Sequence, residues 1–194
     1  MPPISCSERR VAEELTWSRL ARRIRVPLGF VFAGFYLWRA KPTWVSLAIG
    51  AAIACLGILI RAIASGHVQK NRELTTTGPY AYVRNPLYLG SIIMAIGFAA
   101  AARDIWIAIA ILLLFAFVYV PVIRSEEAFL RDHFQGYAEY ARRVPSLLPR
   151  TLLVRQTTKG FSRKLYMSHR EYNALLGAAA MLAALVVKIL WFPG

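Results

Sequence analysis

Five apolar stretches, separated by basic segments, constrain the fold of this 194-residue chain more than any other feature. A helix needs about 20 apolar residues to cross the hydrocarbon of a bilayer, and about 17 to 25 are tolerated. Backbone groups in lipid must be hydrogen-bonded within the segment, which favours helices. We therefore predict an all-α, polytopic membrane helical bundle that forms a single membrane domain over residues 1–194. Its transmembrane helices, about five in number, would occupy residues 26–38, 44–63, 87–102, 105–123 and 174–192.

The distribution of Lys and Arg predicts how this bundle is oriented. If the N-terminus is cytoplasmic, twenty of the 24 Lys and Arg residues lie on the cytoplasmic side, as the positive-inside rule requires. The C-terminus then lies on the outer side, and the small size suggests a bacterial cytoplasmic membrane. Topology and anionic inner-leaflet lipid account for the net charge of +14, so we expect no nucleic-acid partner.

The N-terminal segment carries six arginines before residue 26 and has no apolar core, so we expect no cleavable signal peptide. Residues 1–25 instead predict a basic arm that lies in the membrane interface. Cys6 in this arm and Cys55 in an apolar stretch are too far apart for a disulfide. No metal site is expected, because metal-ligand spacing is lacking among His67, His133 and His169.

The stretch GPYAYVRNPLYLGS, residues 78–91, precedes and enters the third apolar segment. Pro86 is suited to the first turn of a helix, with Asn85 as its N-cap. A helix N-terminus attracts anions, and Arg84 would strengthen that attraction. Gly90 and Ser91, one turn further on, would allow another backbone or a ligand to approach closely.

A structural explanation of the same stretch stays open. Asn85 and Pro86 would then only cap a helix, and Arg84 would anchor that helix at the level of the lipid headgroups. The tyrosines would form an aromatic belt at the membrane surface, made of Tyr80, Tyr82 and Tyr88.

The second polar stretch, residues 123–149, contains two consecutive carboxylates, Glu126 and Glu127. On a helix they point about 100° apart, so both cannot face one ligand squarely. Glu127 could form a surface ion pair with Arg131 four residues later. An unpaired Glu126 beside the bilayer would be costly, which suggests a function. With Arg84 on the same side, the arrangement favours an amino-acid head group, its carboxylate toward Arg84 and its ammonium toward a glutamate.

The pair of motifs RNPLYLG and EEAFLRDHFQGYAEYARRVPSLLP resembles a known family, the integral-membrane methyltransferases. That family includes isoprenylcysteine carboxyl methyltransferases and phospholipid methyltransferases, and its pattern is Arg-His-Pro-x-Tyr-x-Gly, a hydrophobic stretch, then Glu-Glu. The resemblance covers about residues 77–149. It implies S-adenosylmethionine as methyl donor, with S-adenosylhomocysteine as product, in a pocket on the cytosolic side. It also implies a lipidic acceptor that enters from the bilayer.

The resemblance also assigns roles to individual residues. The catalytic positions would be Arg84, Asn85, Glu126 and Glu127. The cofactor would contact these four together with Tyr80, Pro86, Tyr88, Gly90, Tyr137 and Tyr140, and Pro145 would help to close the pocket. Asn85 departs from the family pattern, which has histidine there. Asparagine can donate and accept hydrogen bonds but cannot titrate.

Two other functions fit the same pattern of segments. An NADPH-dependent membrane reductase acting on a sterol or enone would share a polar pocket at the cytosolic helix ends. No basic cluster clearly suited to a 2'-phosphate is seen in the sequence. An inactive membrane scaffold of the same fold is favoured only by Asn85. No feature of the sequence indicates the oligomeric state or the identity of the methyl acceptor.

Overall fold

The computed structural model describes residues 27–69, 73–149 and 160–191, and all regular structure in these ranges is helical. Helix α1 is described over residues 27–39. The other helices are α2 (Trp44–Ser65), α3 (Pro86–Ala102), α4 (Ile105–His133), α5 (Tyr137–Arg143), α6 (Arg163–Ser168) and α7 (Tyr172–Trp191). A short 3-10 helix, Gly78–Ala81, precedes α3. The interfacial arm predicted over residues 1–25 lies outside the described residues.

Three of these helices, α2, α4 and α7, are long and apolar enough to cross a membrane. Helix α3 is also apolar but shorter, with 17 residues. The prediction of an all-α membrane bundle is therefore confirmed. Helix α3 ends at Ala102, and α4 begins at Ile105 after a turn formed by Arg103 and Asp104.

Helix α4 differs from its prediction, which ended the fourth span at residue 123. The helix continues to His133, so Glu126 and Glu127 lie on it rather than in the segment that follows. Phe115–Tyr119 form a π-helical turn in its middle. Pro121 explains the wider turn, because proline lacks an amide hydrogen and its ring crowds the preceding turn.

Helices α2 and α3 pack closely against each other, because glycines line their interface. A Cβ atom on Gly57 would lie 2.5 Å from the carbonyl oxygen of Gly90, and one on Gly97 would lie 2.6 Å from that of Gly50. Small residues at such positions let two backbones approach each other in a membrane. The contact places Gly57 of α2 directly beside Gly90 in the second turn of α3.

Polar contacts join the helices at the end of the bundle remote from Asn85. Arg39, at the end of α1, forms an ion pair with Asp104 at 2.7 Å. Asp104 also caps α4 by accepting hydrogen bonds from the amides of Trp106 and Ile107. Lys188 of α7 donates to carbonyl oxygens at the end of α1. These contacts hold α1, α4 and α7 together at this end.

The close packing of α2 and α3 predicts that Gly57→Ala destabilises the protein. The added methyl group meets backbone atoms, and overpacking of this kind costs about 1–3 kcal/mol. Gly34→Ala in α1 is the matched control, since no atom lies within 4 Å of its Cβ position. It should leave stability unchanged or raise it slightly. The thermal unfolding midpoints in detergent measure both, and equal midpoints would contradict the packing.

Candidate functional site

Two segments that are distant in sequence are joined by their backbones at the start of α3. The amide of Arg84 donates to the carbonyl of Pro145 at 2.9 Å, and the amide of Asn85 donates to that of Ser146 at 3.0 Å. Residues 84–85 immediately precede α3, and residues 145–146 follow α5. The two polar motifs of the sequence therefore meet at one end of the bundle, here called the polar end.

Asn85 lies at the N-cap position of α3, as predicted, but its side chain makes no capping hydrogen bond there. Its Nδ2 atom donates instead to Oε1 of Glu127 at 2.7 Å and to the hydroxyl of Ser146 at 3.0 Å. The Ser146 hydroxyl donates to the same Glu127 oxygen at 2.8 Å. Asn85, Glu127 and Ser146 form a closed hydrogen-bonded triangle that ties α3 to α4.

Arg84 completes the surroundings of Glu127. Its Nη1 atom lies 3.5 Å from Oε2 of Glu127 and donates to the hydroxyl of Tyr137 at 3.3 Å. Glu127 thus pairs with Arg84 on another element, rather than with Arg131 on its own helix as one explanation of the sequence had it. The Nε atom of Arg84 is buried and has no hydrogen-bond partner in the part of the chain that the structure describes. One donor of this guanidinium is therefore left without an acceptor among the described residues.

Three buried or half-buried tyrosines surround this cluster. Tyr140 donates its hydroxyl hydrogen to the carbonyl of Tyr80 at 2.7 Å. Burial is the main cause that raises the pKa of Tyr80, Tyr137 and Tyr140, and the charges of nearby glutamates raise these pKa values further. Positive charge acts in the opposite direction: Arg61 lowers the pKa of Tyr80, and Arg84 lowers those of Tyr137 and Tyr140. Because each pKa is raised above its ordinary value, all three hydroxyls stay protonated at neutral pH. They can donate hydrogen bonds but cannot act as bases.

Glu126 differs from its neighbour in both exposure and contacts. Its side chain is exposed, and within the described residues it forms no hydrogen bond or ion pair. Its charge nevertheless contributes to the raised pKa of Tyr80, so the two groups lie near each other. Glu126 follows Tyr119 by seven residues, which is about two helical turns, so the two residues lie on the same face of α4. Glu126 is therefore an exposed carboxylate beside the triangle, without a polar partner in the described part of the chain.

The remaining predicted site residues of α3 serve packing in the structure. Pro86 is buried in the first turn. The ring of Tyr88 packs edge-on against that of Tyr119 in α4, with 6.0 Å between ring centroids. A Cβ on Gly90 would lie 2.6 Å from Cγ of Arg61, so Gly90 faces α2. A cofactor contact at any of these three positions stays a prediction.

A second polar cluster, absent from the candidate residues of the sequence, lies beside α3. Glu171 precedes α7 and pairs with Arg61 of α2, with Oε2 2.8 Å from Nη2 and 3.2 Å from Nε. Nη1 of Arg61 donates to the carbonyl of Leu87 at 3.3 Å and to the hydroxyl of Ser91. A lone carboxylate directly before the last apolar stretch was the only signal in the sequence for this pair.

An apolar cavity of about 340 Å³ lies between α1, α3, α4 and α7. Such a volume is at the small end of the range for ligand pockets, about 300–1,000 Å³. Its wall contains residues of the π-helical turn, Phe115, Val118 and Tyr119. Ser91 also lines it, so the Arg61 and Glu171 cluster reaches the cavity through this hydroxyl. The cavity therefore borders the Arg61 and Glu171 cluster at Ser91, and its other walls are almost wholly apolar.

No group of three or more potential metal ligands occurs in the ranges that the structure describes. The Nδ1 atom of His67 contacts the carbonyl oxygen of Ile63 in the last turn of α2. The Nδ1 atom of His133 contacts the carbonyl oxygen of Phe129 in its own helix, α4. Cys55 is a free, exposed cysteine, and Cys6 lies outside the described residues.

The fold and the site together define an integral membrane protein with a polar cluster at its helix ends and an apolar cavity inside. Residues 44–136 match the phospholipid methyltransferase family. Over this range, which is just under half of the chain, the protein is similar to the integral-membrane methyltransferases that include the phospholipid and isoprenylcysteine enzymes, and the resemblance predicted from its motifs is confirmed.

Several curated proteins are similar to this chain. The cobalt-zinc-cadmium resistance protein CzcN of Cupriavidus metallidurans is 36% identical over 140 residues, which are 68% of this chain and 64% of that protein. The nickel-cobalt-cadmium resistance protein NccN of Alcaligenes xylosoxydans xylosoxydans is 37% identical over 139 residues, 68% of this chain and 63% of that protein. The protein-S-isoprenylcysteine O-methyltransferase of Schizosaccharomyces pombe is 30% identical over 123 residues, 63% of this chain and 48% of that enzyme. The chain thus spans less than two thirds of the length of these relatives. No solved structure gives a significant match.

The unequal surroundings of the two glutamates predict unequal effects on stability. Glu127→Ala leaves Asn85 and Arg84 without their shared acceptor, and a buried group left unsatisfied costs about 1–3 kcal/mol. Glu126→Ala removes an exposed side chain and should change stability by no more than about 0.5 kcal/mol. Thermal unfolding of both variants in the same detergent measures the difference. If Glu126→Ala were the more damaging, the triangle would not support the fold.

Proposed function

We propose that this protein is an S-adenosylmethionine-dependent methyltransferase that acts on a lipophilic acceptor within the membrane. The observation that carries the proposal is the meeting of both polar motifs, where Asn85 contacts Glu127 at 2.7 Å beside Arg84. Glu126, which is exposed and has no polar partner among the described residues, lies next to this contact, and an apolar cavity is lined by Ser91 in the second turn of α3. A polar donor and an apolar acceptor can therefore be bound on adjoining sides of one site.

The residues of the polar end fit the amino-acid part of the donor. The unpartnered Nε of Arg84 and the N-terminus of α3 both favour a carboxylate. Glu127 is already engaged by Arg84, Asn85 and Ser146, so the ammonium group falls to Glu126. Tyr88 offers an aromatic ring at the first turn of α3, which can favour a cationic group. Arg84 and Glu126 would thus bind the donor, and Glu127 would position Arg84 and Asn85.

The catalytic contribution of the chain is then mainly positioning and the exclusion of water. When bound, S-adenosylmethionine supplies an electrophilic methyl group, and S-adenosylhomocysteine is the product. A carboxylate acceptor needs no base. An amine acceptor must lose a proton, and the tyrosines at the site are unsuited because their pKa values are raised. The nearby groups of the chain that could accept that proton are Glu126, Glu127 and His133.

The cavity supports a lipidic or isoprenoid-bearing acceptor. Its lining is almost wholly apolar, and the hydroxyl of Ser91 lies at the wall that faces Arg61. One relative is named for methylation of isoprenylcysteine, a thioether of an isoprenoid chain. We place the polar end in the cytoplasm, where the donor is made, with the N-terminus on that side and the C-terminus outside, in a bacterial cytoplasmic membrane.

Isothermal titration calorimetry with S-adenosylhomocysteine tests the proposal in detergent. The wild type should bind, and Arg84→Ala and Glu127→Ala should bind at least tenfold more weakly, about 1.4 kcal/mol or more. Arg131→Ala is the control, because Arg131 is an exposed cation on the same helix as Glu127. Its affinity should equal that of the wild type.

Two outcomes would contradict the methyltransferase assignment. Tight binding of NADPH without any response to S-adenosylhomocysteine would support the membrane reductase. Binding of neither ligand by folded protein would support an inactive scaffold.

A further inference from the structure

Four of the five tryptophans lie in the described residues, and all four are at the end of the bundle remote from the polar end, here called the far end. They are Trp38 in the last turn of α1, Trp44 at the start of α2, Trp106 in the first turn of α4 and Trp191 at the end of α7. Two contacts show that these helix ends lie at one level. Lys188 of α7 donates to the carbonyl of Trp38, and the amide of Lys41 donates to the carbonyl of Ala102, the last residue of α3.

The four side chains are turned outward, since each is 56–77% exposed. Because they belong to four helices, they are distributed over the far end rather than along one helix face. An indole ring has a large apolar body and a single N–H donor, so it is favoured at the boundary between hydrocarbon and lipid headgroups. The tyrosines considered for an aromatic belt, Tyr80, Tyr82 and Tyr88, are instead buried or half-buried at the polar end.

The charge of the far end complements a phospholipid surface. Lys41 and Arg103 lie at this end and are exposed. The acidic residue described there, Asp104, has a side chain that is only 7% exposed and is paired with Arg39. The charge offered to the surroundings is therefore positive, which suits the phosphates of lipid headgroups.

The spacing between the tryptophans and the polar end matches the thickness of a bilayer. Three helices carry a tryptophan at the far end and a charged residue toward the polar end: α2 (Trp44 and Arg61), α4 (Trp106 and Glu126) and α7 (Trp191 and, just before the helix, Glu171). The two members of each pair are 17 or 20 residues apart, about 26–30 Å along a helix. The hydrocarbon core of a bilayer is about 30 Å thick. The tryptophans and these charges thus bracket one hydrocarbon layer.

We propose that Trp38, Trp44, Trp106 and Trp191 form a tryptophan girdle that lies among the phospholipid headgroups of the leaflet remote from the polar end. The girdle fixes the depth of the bundle, because moving the indole rings toward water or toward the hydrocarbon centre is unfavourable. The charged residues on α2, on α4 and before α7 then lie at the opposite boundary. This inference goes beyond methyl transfer and does not depend on it.

Fluorescence quenching by brominated lipids tests the girdle in full-length protein in nanodiscs. Four variants each keep one girdle tryptophan, and phenylalanine replaces the other four tryptophans of the chain, including Trp17. The phosphatidylcholine carries bromine either near the headgroup or near the end of its acyl chains. At each of the four positions, the shallow bromine should quench at least twofold more than the deep bromine.

Leu56→Trp in a chain without other tryptophans is the matched control. Leu56 is an exposed residue of α2. It lies 12 residues from Trp44, about 18 Å toward the polar end and so near the middle of the hydrocarbon. The deep bromine should quench this variant more than the shallow one. Trp17→Phe alone, which keeps the whole girdle, gives the same comparison in a protein that differs from the wild type at one residue.

Two results would overturn the girdle. Stronger quenching by the deep bromine at any of the four positions would place that indole within the hydrocarbon. Weak quenching by both lipids, while Leu56→Trp is quenched normally, would mean that a second copy or another protein covers the tryptophans. Because no methyl donor takes part, neither result bears on the proposed methyltransferase, and a failure of that proposal leaves the girdle unaffected.

Discussion

The carboxylate of Glu127 is the group on which the polar end of the molecule depends. A half-buried charge near a bilayer is stable only when it is hydrogen-bonded or paired. Asn85, Ser146 and Arg84 meet this need, and each comes from outside α4. The start of α3, the extension of α4 and the segment after α5 are therefore brought together by one side chain. Glu127 is engaged by these contacts, whereas its neighbour Glu126 is exposed and has no polar partner among the described residues.

Below this cluster, the backbone geometry of two helices shapes the cavity. The glycines between α2 and α3 bring Arg61 close enough to reach Ser91, so a charged pair is connected to the wall of an apolar space. On the facing side, Pro121 is accompanied by a π-helical turn, and side chains of that turn line the same space. π-Helical turns interrupt the regular ladder of an α-helix and are frequent at functional sites. Close packing on one side and a widened helix on the other thus leave room between α3 and α4.

The sequence predicted the features that depend on local patterns and missed those that depend on distant contacts. Apolar length predicted the bundle, and the Asn85 and Pro86 pair predicted where α3 begins. The hydrogen bond from Asn85 to Ser146 was not foreseen, although Ser146 lies within the second motif, because the two residues are 61 positions apart in the sequence. Glu171 was missed for the same reason, at 110 residues from Arg61. Gly90 was expected to let another backbone or a ligand approach closely, and the backbone of α2 does so at Gly57, which a glycine pattern alone could not specify.

Asn85 also shows why a departure from the family pattern need not abolish the site. Its amide donates two hydrogen bonds, to Glu127 and to Ser146, and an amide keeps this role at every physiological pH. A histidine in this position would change its charge between about pH 5 and 8 and would alter the field around Glu127 and Arg84. Asparagine therefore preserves the link between α3 and α4 while removing a titrating group from it. In the proposed reaction, a proton lost by an amine acceptor would not go to the surrounding tyrosines, because their hydroxyls stay protonated.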